Sequence, residues 1–287
     1  MLNVLWFTPI GFFVGTYGTI IGAGGGFILV PLLMFLFPGD APSMITAASL
    51  AVIFVNSTSG TIAYARMKRI SYRTGIFFAL ATIPGALLGS YLTAFVPKKV
   101  FSTAFGALLV AVAVFLALTR GMQHAANRAT SATSGARGTG ASGPARPRGP
   151  LVDTVVDREG NSYPLSFNIW LGMGLSLFIG ILSSLAGIGG GLIHVPVLTW
   201  LFGFPVHIAT ATSHFVLVFT SLAGVIMHII DGTWPVHPVR DLCLAAGVVG
   251  GAQLGAFLAR RISSRWIILG LAVALGLVGV RLVVGAF

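Results

Sequence analysis

Charged side chains are scarce in this sequence. Only 8% of the 287 residues are Asp, Glu, Lys or Arg, whereas 56% are hydrophobic and the mean hydropathy is +0.95. An ordinary soluble domain is about a quarter charged. Six acids and seventeen bases cannot cover the surface of a soluble globule of this length. The deficit therefore excludes a soluble globular protein.

Several chemistry-bearing features are also missing. Cys243 is the single cysteine, so no disulfide can form within the chain. The sequence contains no G-x-x-x-x-G-K-[ST] motif for ATP and no H-E-x-x-H motif for zinc. It also places no carboxylate and no Ser–Lys pair in the middle of an apolar run. We therefore expect a protein that is not an enzyme and that has no metal site and no cofactor.

What the sequence does contain is a series of apolar runs, separated by short polar breaks at which the charges lie. Because charge is costly in hydrocarbon, the gaps between charged groups delimit membrane-spanning helices. We predict all-α spanning segments near residues 4–37, 43–64, 74–95, 100–119, 166–200, 208–230, 240–259 and 266–285. The apolar N-terminus lacks a basic region and is interpreted as part of the first span. The net charge of +11 belongs to loops and indicates no nucleic-acid partner.

The composition changes abruptly between the two halves of the chain. Residues 121–164 are rich in Gly, Ala, Ser, Pro and Arg and contain little that could be buried. This composition predicts a flexible basic linker on the cytoplasmic side, between a first repeat at 1–120 and a second at 165–287. We interpret it as a solvated tether, with binding to anionic lipid headgroups as the alternative.

The two halves resemble each other. Residues 15–31, GTYGTIIGAGGGFILVP, align without a gap with residues 180–196, GILSSLAGIGGGLIHVP. Two shorter blocks follow in the same order, TAAS with TATS and GALLGSYL with GAQLGAFL. Three ordered blocks indicate a duplicated four-segment unit.

The first segment of each half is too long for one span of about 20 residues. Each contains G-x-G-G-G and, five residues later, a proline, which disfavour a continuous helix. We predict a helix, a glycine break and a shorter helix that returns toward the starting side. Such a hairpin leaves an odd number of crossings per half, so the copies are expected to be inverted and not parallel. Loop 65–73 carries four bases and loop 231–239 none, which favours this choice, although Lys98 and Lys99 then lie on the external side.

Polar groups around the two breaks form the predicted substrate site. Glycines allow close backbone approach, half-helix N-termini favour an anion, and hydroxyls or amides donate hydrogen bonds without a fixed charge. The predicted substrate-binding residues are Gly22, Gly24, Gly25, Gly26, Thr46, Ser49, Asn56, Gly187, Gly189, Gly190, Gly191, His194, Thr210, Ser213 and His214. The alternative is that the glycines serve tight helix packing and the hydroxyls bond within their helices.

Three histidines lie inside predicted spans. His194 and His214 are candidates for proton coupling, because histidine titrates near neutral pH and no carboxylate lies beside them in the sequence. The alternative for both is a neutral, hydrogen-bonded packing role. His228 is expected to be interfacial, near the external end of its span.

The duplicated G-x-x-x-x-x-x-G-x-G-G-G-x-x-x-x-P pattern, followed by TAAS or TATS, resembles the TauE/SafE family of membrane permeases, the sulfite and organosulfonate exporters. The resemblance covers about residues 8–119 and 168–284. It implies a multi-pass secondary transporter, expected to export small anions such as sulfite, sulfoacetate or other organosulfonates across the inner (plasma) membrane. An anion channel, or a transporter of an unrelated small anion, is the alternative. The implied partners are a small sulfur-containing anion and the lipid bilayer, and assembly into a homo-oligomer is left open.

Overall fold

The computed structural model describes residues 4–114, 151–156, 160, 162–235, 237–259 and, near the end of the chain, 273, 275–277 and 279–282. The helices are α1 Phe7–Ile21, α2 Gly26–Leu36, α3 Pro42–Arg66, α4 Tyr72–Thr93, α5 at 98–114, α6 Ile169–Leu185, α7 Gly191–Pro196, α8 Val206–Ile230, α9 Pro238–Leu258 and α10 at the described helical residues from 273 to 282. A 3-10 turn at Val4–Trp6 precedes α1, and a π-helical turn at Val197–Leu201 extends α7. The two strands are β1 Leu151–Val156 and β2 Ser162–Phe167.

Helix length and composition confirm an all-α integral membrane protein. Within the described residues, four helices are long and apolar enough to cross a bilayer, namely α3, α4, α8 and α9. The shorter apolar helices α1, α2 and α6 flank the glycine breaks, as does α7 together with its π-helical turn.

The first segment of each half is a broken helical hairpin, as the sequence predicts. The ring of Phe7 at the start of α1 lies 6.0 Å from that of Phe37, just past the end of α2. In the second half, Phe167 before α6 lies 4.9 Å from Phe202, which follows the π-helical turn. Each hairpin therefore ends on the side where it began, and the reversal occurs at the glycines between its helices.

The two halves are interleaved by two parallel helix pairs. α1 packs along α9, since a Cβ atom added to Gly11 would lie 2.3 Å from the Leu244 carbonyl oxygen and one added to Gly251 would lie 2.2 Å from that of Phe12. α6 packs along α4 in the same way, with Gly85 against Leu177. Because α6 is the repeat equivalent of α1, and α4 that of α9, the same pairing is made twice with the halves exchanged.

α3 and α8 form the centre of the bundle and run antiparallel. Thr46 near the start of α3 lies 3.3 Å from His228 near the end of α8, measured from Oγ1 to Nε2. Gly60 near the end of α3 faces His214 near the start of α8. Both helices carry polar residues of the predicted substrate site, so the crossing of α3 and α8 positions that site.

Part of the predicted flexible linker is ordered. β1 and β2 pair antiparallel, from Leu151 opposite Phe167 to Val156 opposite Ser162. Val155, Leu165 and Phe167 are buried in one apolar cluster with residues of α4 and α8. The prediction of a flexible segment is therefore wrong for residues 151–156 and 162–164, because alternating apolar residues there give the hairpin a buried face. Residues 121–150 of the predicted linker lie outside the described residues.

Candidate functional site at the crossing of the glycine breaks

Left-handed backbone at the glycines makes both reversals possible. Gly22, Gly24 and Gly25 have φ angles of 86°, 73° and 86°, and the equivalent glycines of the second break have angles of 70°, 73° and 97°. Side chains with a Cβ atom rarely adopt this region, so glycine is required here. The last glycine in each turn, Gly25 or Gly190, is the residue immediately before the returning helix α2 or α7.

Each break is held by a serine from the opposite half. The Ser213 hydroxyl donates to the Gly22 carbonyl oxygen at 3.1 Å, and the Ser49 hydroxyl donates to the Gly187 carbonyl oxygen at 2.7 Å. Both serines are fully buried. Since Ser49 is equivalent to Ser213 and Gly22 to Gly187, these are one interaction made twice with the halves exchanged.

The repeat-equivalent threonines pack on the same glycines. A Cβ atom added to Gly22 would lie 2.8 Å from Thr210 Cγ2, and one added to Gly187 would lie 2.8 Å from Thr46 Cγ2. Such distances are shorter than normal carbon–carbon contacts. The glycines therefore let α3 and α8 reach the backbone of the breaks.

The two breaks also touch each other. A Cβ atom added to Gly191 would lie 2.4 Å from the Gly22 carbonyl oxygen, and one added to Gly26 would lie 2.9 Å from the Gly187 carbonyl oxygen. Gly26 and Gly191 are the first residues of the returning helices. The N-termini of α2 and α7 thus meet at the crossing, where their first backbone N–H groups have no partner within the helix.

Two aliphatic side chains fill the space around this crossing. Ile53 contacts Gly24 and Gly189, since Cβ atoms added there would lie 2.9 and 3.0 Å from its Cγ2 atom. Leu217, its repeat equivalent in α8, approaches the same two glycines. Both side chains are buried, so the conformation is a closed one. Sequence reasoning missed this pair, although each follows its serine by one helical turn.

Asn56 connects the first break to a buried row of hydrogen-bonded polar side chains. Its Nδ2 donates to the Gly24 carbonyl oxygen at 3.1 Å, and its Oδ1 accepts from the Thr19 hydroxyl at 3.3 Å. The Thr19 hydroxyl lies 3.3 Å from Nε2 of His214, and Tyr64 donates to the Thr19 carbonyl oxygen at 2.8 Å. His214 therefore reaches the first break from the opposite half. Thr19 and Tyr64 were not predicted, because a lone hydroxyl inside an apolar run carries no distinguishing signal.

Three predicted residues, Gly25, Gly190 and His194, lie apart from the crossing. Gly25 packs against Val14 within its own hairpin, and Gly190 packs against Ser183 and His194 within its own. His194 places Nδ1 3.2 Å from the Gly190 carbonyl oxygen and Nε2 3.3 Å from the Ser176 hydroxyl. Both ring nitrogens are thus engaged inside the α6–α7 hairpin, a packing arrangement.

His228 lies in the last turn of α8, near the end of its span as expected, but it is buried within the protein. Its side chain is 1% exposed, with Nε2 3.3 Å from Thr46 Oγ1 and Nδ1 2.9 Å from Thr233 Oγ1. It is buried because the start of α3 packs over the last turn of α8. In the part of the chain that the structure describes, no group of three or more His, Cys, Asp or Glu side chains is placed to hold a metal ion.

A buried ionic cluster joins the halves at the end of the bundle where α1 begins. Arg240 of α9 donates from Nε to Asp241 Oδ1 at 2.9 Å and from Nη1 to Asp40 Oδ2 at 3.4 Å. Its guanidinium carbon lies 4.7 Å from the centre of the Phe37 ring. Only 5% of the Arg240 side chain is exposed. The sequence places these charges at span ends, but their burial depends on the α1–α2 hairpin of the other half.

Two glycine-broken hairpins that cross within a bundle of membrane-length helices define a polytopic membrane transporter. The family model described as sulfite exporter TauE/SafE matches residues 7–282. The chain therefore belongs to this family, as the repeated glycine motif predicts.

Two relatives carry similar descriptions. The chain is 30% identical over 280 residues to the "Probable membrane transporter protein YunE" of Bacillus subtilis, covering 96% of this chain and 95% of that protein. It is 25% identical over 283 residues to a "Probable membrane transporter protein" of Methanocaldococcus jannaschii, covering 94% and 91%. No solved structure matches the chain at a significant level.

Proposed function

We propose that the chain exports small sulfur-containing anions, such as sulfite, sulfoacetate or other organosulfonates, across the inner membrane. The observation that carries the proposal is the reciprocal contact in which Ser49 and Ser213 each hold the glycine break of the opposite half. The crossing brings uncharged donors from both halves together, at the N-terminus of α2. The family description supplies the class of anion.

The chemistry of the crossing suits an oxyanion. The residues predicted to bind substrate include no Lys, Arg, Asp or Glu. An anion there is therefore held by hydroxyls, amides and the positive end of a helix dipole. In the closed conformation the serine hydroxyls donate to the carbonyl oxygens of Gly22 and Gly187. Separation of the two hairpins frees these hydroxyls, together with the first N–H groups of α2, to donate to the oxygens of an anion.

Electrostatics supports export as the proposed direction of transport. A negative interior potential favours the exit of an anion by about 2.3 kcal/mol per charge per 100 mV. Export therefore does not require a coupling ion, whereas accumulation inside the cell does. Because the predicted site holds no fixed charge, the negative charge of the anion is not compensated as it crosses, and the membrane potential therefore favours export.

We further propose that the halves are inverted, about an axis in the membrane plane. The exchanged serine contacts and the antiparallel α3 and α8 support this arrangement. The four bases in loop 65–73 favour a cytoplasmic position for the α3–α4 connection, and the α8–α9 connection is then external. The N-terminal ends of α1 and α9 lie on this external side.

The direct test is flux of the purified protein in liposomes, with sulfite, thiosulfate, sulfate, taurine and sulfoacetate as candidate substrates. We expect saturable flux of at least one sulfur oxyanion or sulfonate, with counterflow when the same anion is present on both sides. Movement of none of them contradicts the proposed substrate class. Flux that neither saturates nor shows counterflow favours the anion channel.

Removing both cross-half serines provides a residue-level test. Replacing Ser49→Ala together with Ser213→Ala takes two donors from the crossing, at a cost of about 1 kcal/mol of stability for each lost hydrogen bond. We expect flux to fall about tenfold, because the same two hydroxyls are proposed to bind the anion. The measurement is initial anion flux in liposomes at matched protein density.

A matched control separates transport from packing. Ser57→Ala with Ser221→Ala also removes one buried serine from each of α3 and α8, but these hydroxyls bond to carbonyl oxygens of their own helices. We expect this control to keep at least half of the flux. Equal losses in the two double variants contradict a special role for Ser49 and Ser213.

We assign proton coupling to His214 and not to His194. His214 hydrogen-bonds Thr19 of the other half, and Thr19 in turn donates to Asn56, whereas the hydrogen-bond partners of His194 both lie in its own hairpin. We expect His214→Gln to flatten the dependence of flux on pH between about pH 5 and 8. His194→Gln is expected to keep the wild-type profile. An altered profile in His194→Gln alone contradicts this assignment.

A further inference from the structure

A deep apolar groove lies on the side of the first half, away from the crossing. It has a volume of about 700 Å³ and is lined by α1, α2, α5 and α10, with Phe27, Leu32 and Leu275 among its apolar residues. The rim residues Phe13 and Phe35 each leave 64% of their surface uncovered. The groove therefore opens sideways, toward the acyl chains of a bilayer.

The groove has the length of one leaflet. It extends along α2 from Phe27, in the first turn after the break, to Pro38 beyond the end of the helix. The 11 residues of α2 rise about 16 Å at 1.5 Å per residue. Half of a hydrocarbon core of about 30 Å is nearly the same length. One extended acyl chain thus spans the groove from the membrane surface to the middle of the bundle.

The charged groups of the groove lie at one end only. Lys98 and Ser102 are in the first turns of α5, and Arg281 is at the far end of α10. Lys98 donates to the Pro38 carbonyl oxygen, and the guanidinium carbon of Arg281 lies 4.6 Å from the centre of the Phe35 ring. Among the described residues, neither base forms a salt bridge with an acid. Two positive charges and a hydroxyl therefore stand where a lipid headgroup would lie.

Lys98 and Arg281 do not follow the rule that Lys and Arg are concentrated in cytoplasmic loops. In the proposed orientation Lys98 and Arg281 lie on the external side, where Lys and Arg are normally depleted. Their position at the end of a leaflet-length groove gives them a different role. We propose that this groove binds one anionic phospholipid, with an acyl chain along α2 and the phosphate between Lys98 and Arg281.

The test uses the full-length chain in detergent, titrated with phosphatidylglycerol or with phosphatidylcholine of the same acyl chains and followed by native mass spectrometry. We expect one tightly retained phosphatidylglycerol per chain. Replacing Lys98→Gln together with Arg281→Gln is expected to weaken its retention about tenfold or more, because each base near an anionic headgroup contributes attraction. Arg281→Gln alone, at an exposed position, is expected to give an intermediate loss without affecting folding.

The control removes the same charge elsewhere. Arg66→Gln with Lys68→Gln changes two exposed bases at the C-terminal end of α3, far from the groove. This variant is expected to leave lipid retention at the wild-type level. Phosphatidylcholine retained as tightly as phosphatidylglycerol overturns the proposal. Unchanged retention in the Lys98 and Arg281 double variant also overturns it. Binding of glycerophosphate alone with equal affinity excludes a role for the apolar groove.

Discussion

Replacing Gly191→Ala is expected to separate the two glycine breaks and to abolish transport. The added Cβ atom would lie 2.4 Å from the Gly22 carbonyl oxygen and 2.8 Å from the Ala23 Cα atom. Both are backbone atoms of the opposite hairpin, so no side chain can rotate to make room. Overpacking of this kind costs about 3 kcal/mol. The measurements are the thermal unfolding temperature in detergent and anion flux in liposomes.

Gly174→Ala is the matched control for this substitution. Gly174 also lies in a helix, and a Cβ atom added there meets no atom within 4 Å. Alanine favours the helical state over glycine by about 1 kcal/mol, so we expect unfolding at or slightly above the wild-type temperature and normal flux. If Gly191→Ala behaves like this control, the breaks do not touch as described here.

The repeat is the reason why so much of the site could be predicted. Ser49 and Ser213 look like ordinary membrane serines when taken singly, but alignment of the halves makes them equivalent, in the same order after equivalent glycine breaks. The structure brings these serines, the threonines Thr46 and Thr210 and most of the break glycines together. Their role in binding an anion stays a prediction.

Contacts that depend on ordinary residue types could not be predicted. Ile53 and Leu217 are indistinguishable in sequence from dozens of other apolar residues, and only the crossing of α3 with α8 puts them over the breaks. The β-hairpin was missed for a different reason. Its alternating residues adjoin a long Gly-, Ala- and Arg-rich stretch, and the composition of the whole segment concealed the local pattern.

The contacts of the two candidate histidines distinguish a possible role in proton coupling from a packing role, which the sequence alone does not. His194 and His214 look equally suited to proton coupling by position. Of the two, only His214 forms a hydrogen bond with the other half, because the turn of α8 that carries it faces Thr19 of α1. His194 meets the other half through the ring of Phe78, at 6.3 Å between ring centres. His194 points back at the glycine that precedes its own helix. The difference comes from helix rotation, which a single sequence does not determine.

Replacing Arg240→Met is expected to destabilise the closed bundle strongly. Arg240 pairs with Asp40 at 3.4 Å and with Asp241 at 2.9 Å, and the two acids come from different halves of the chain. Without Arg240 the buried Asp241 carboxylate loses its cation, whereas Asp40 keeps His237 at 3.5 Å. Leaving a buried charge without its partner costs about 3 to 5 kcal/mol. We expect a marked fall in the thermal unfolding temperature in detergent.

A double variant identifies the cause of this destabilisation. Arg240→Met with Asp241→Asn removes a positive and a negative charge together, so much of the lost stability is expected to return. Arg66→Met removes an exposed base and is expected to change the free energy of unfolding by no more than about 0.5 kcal/mol. Failure of Asp241→Asn to restore stability means that the packing of Arg240 over Phe37 matters more than its charge. Wild-type stability of Arg240→Met itself means that the cluster does not hold the α1–α2 hairpin to α9.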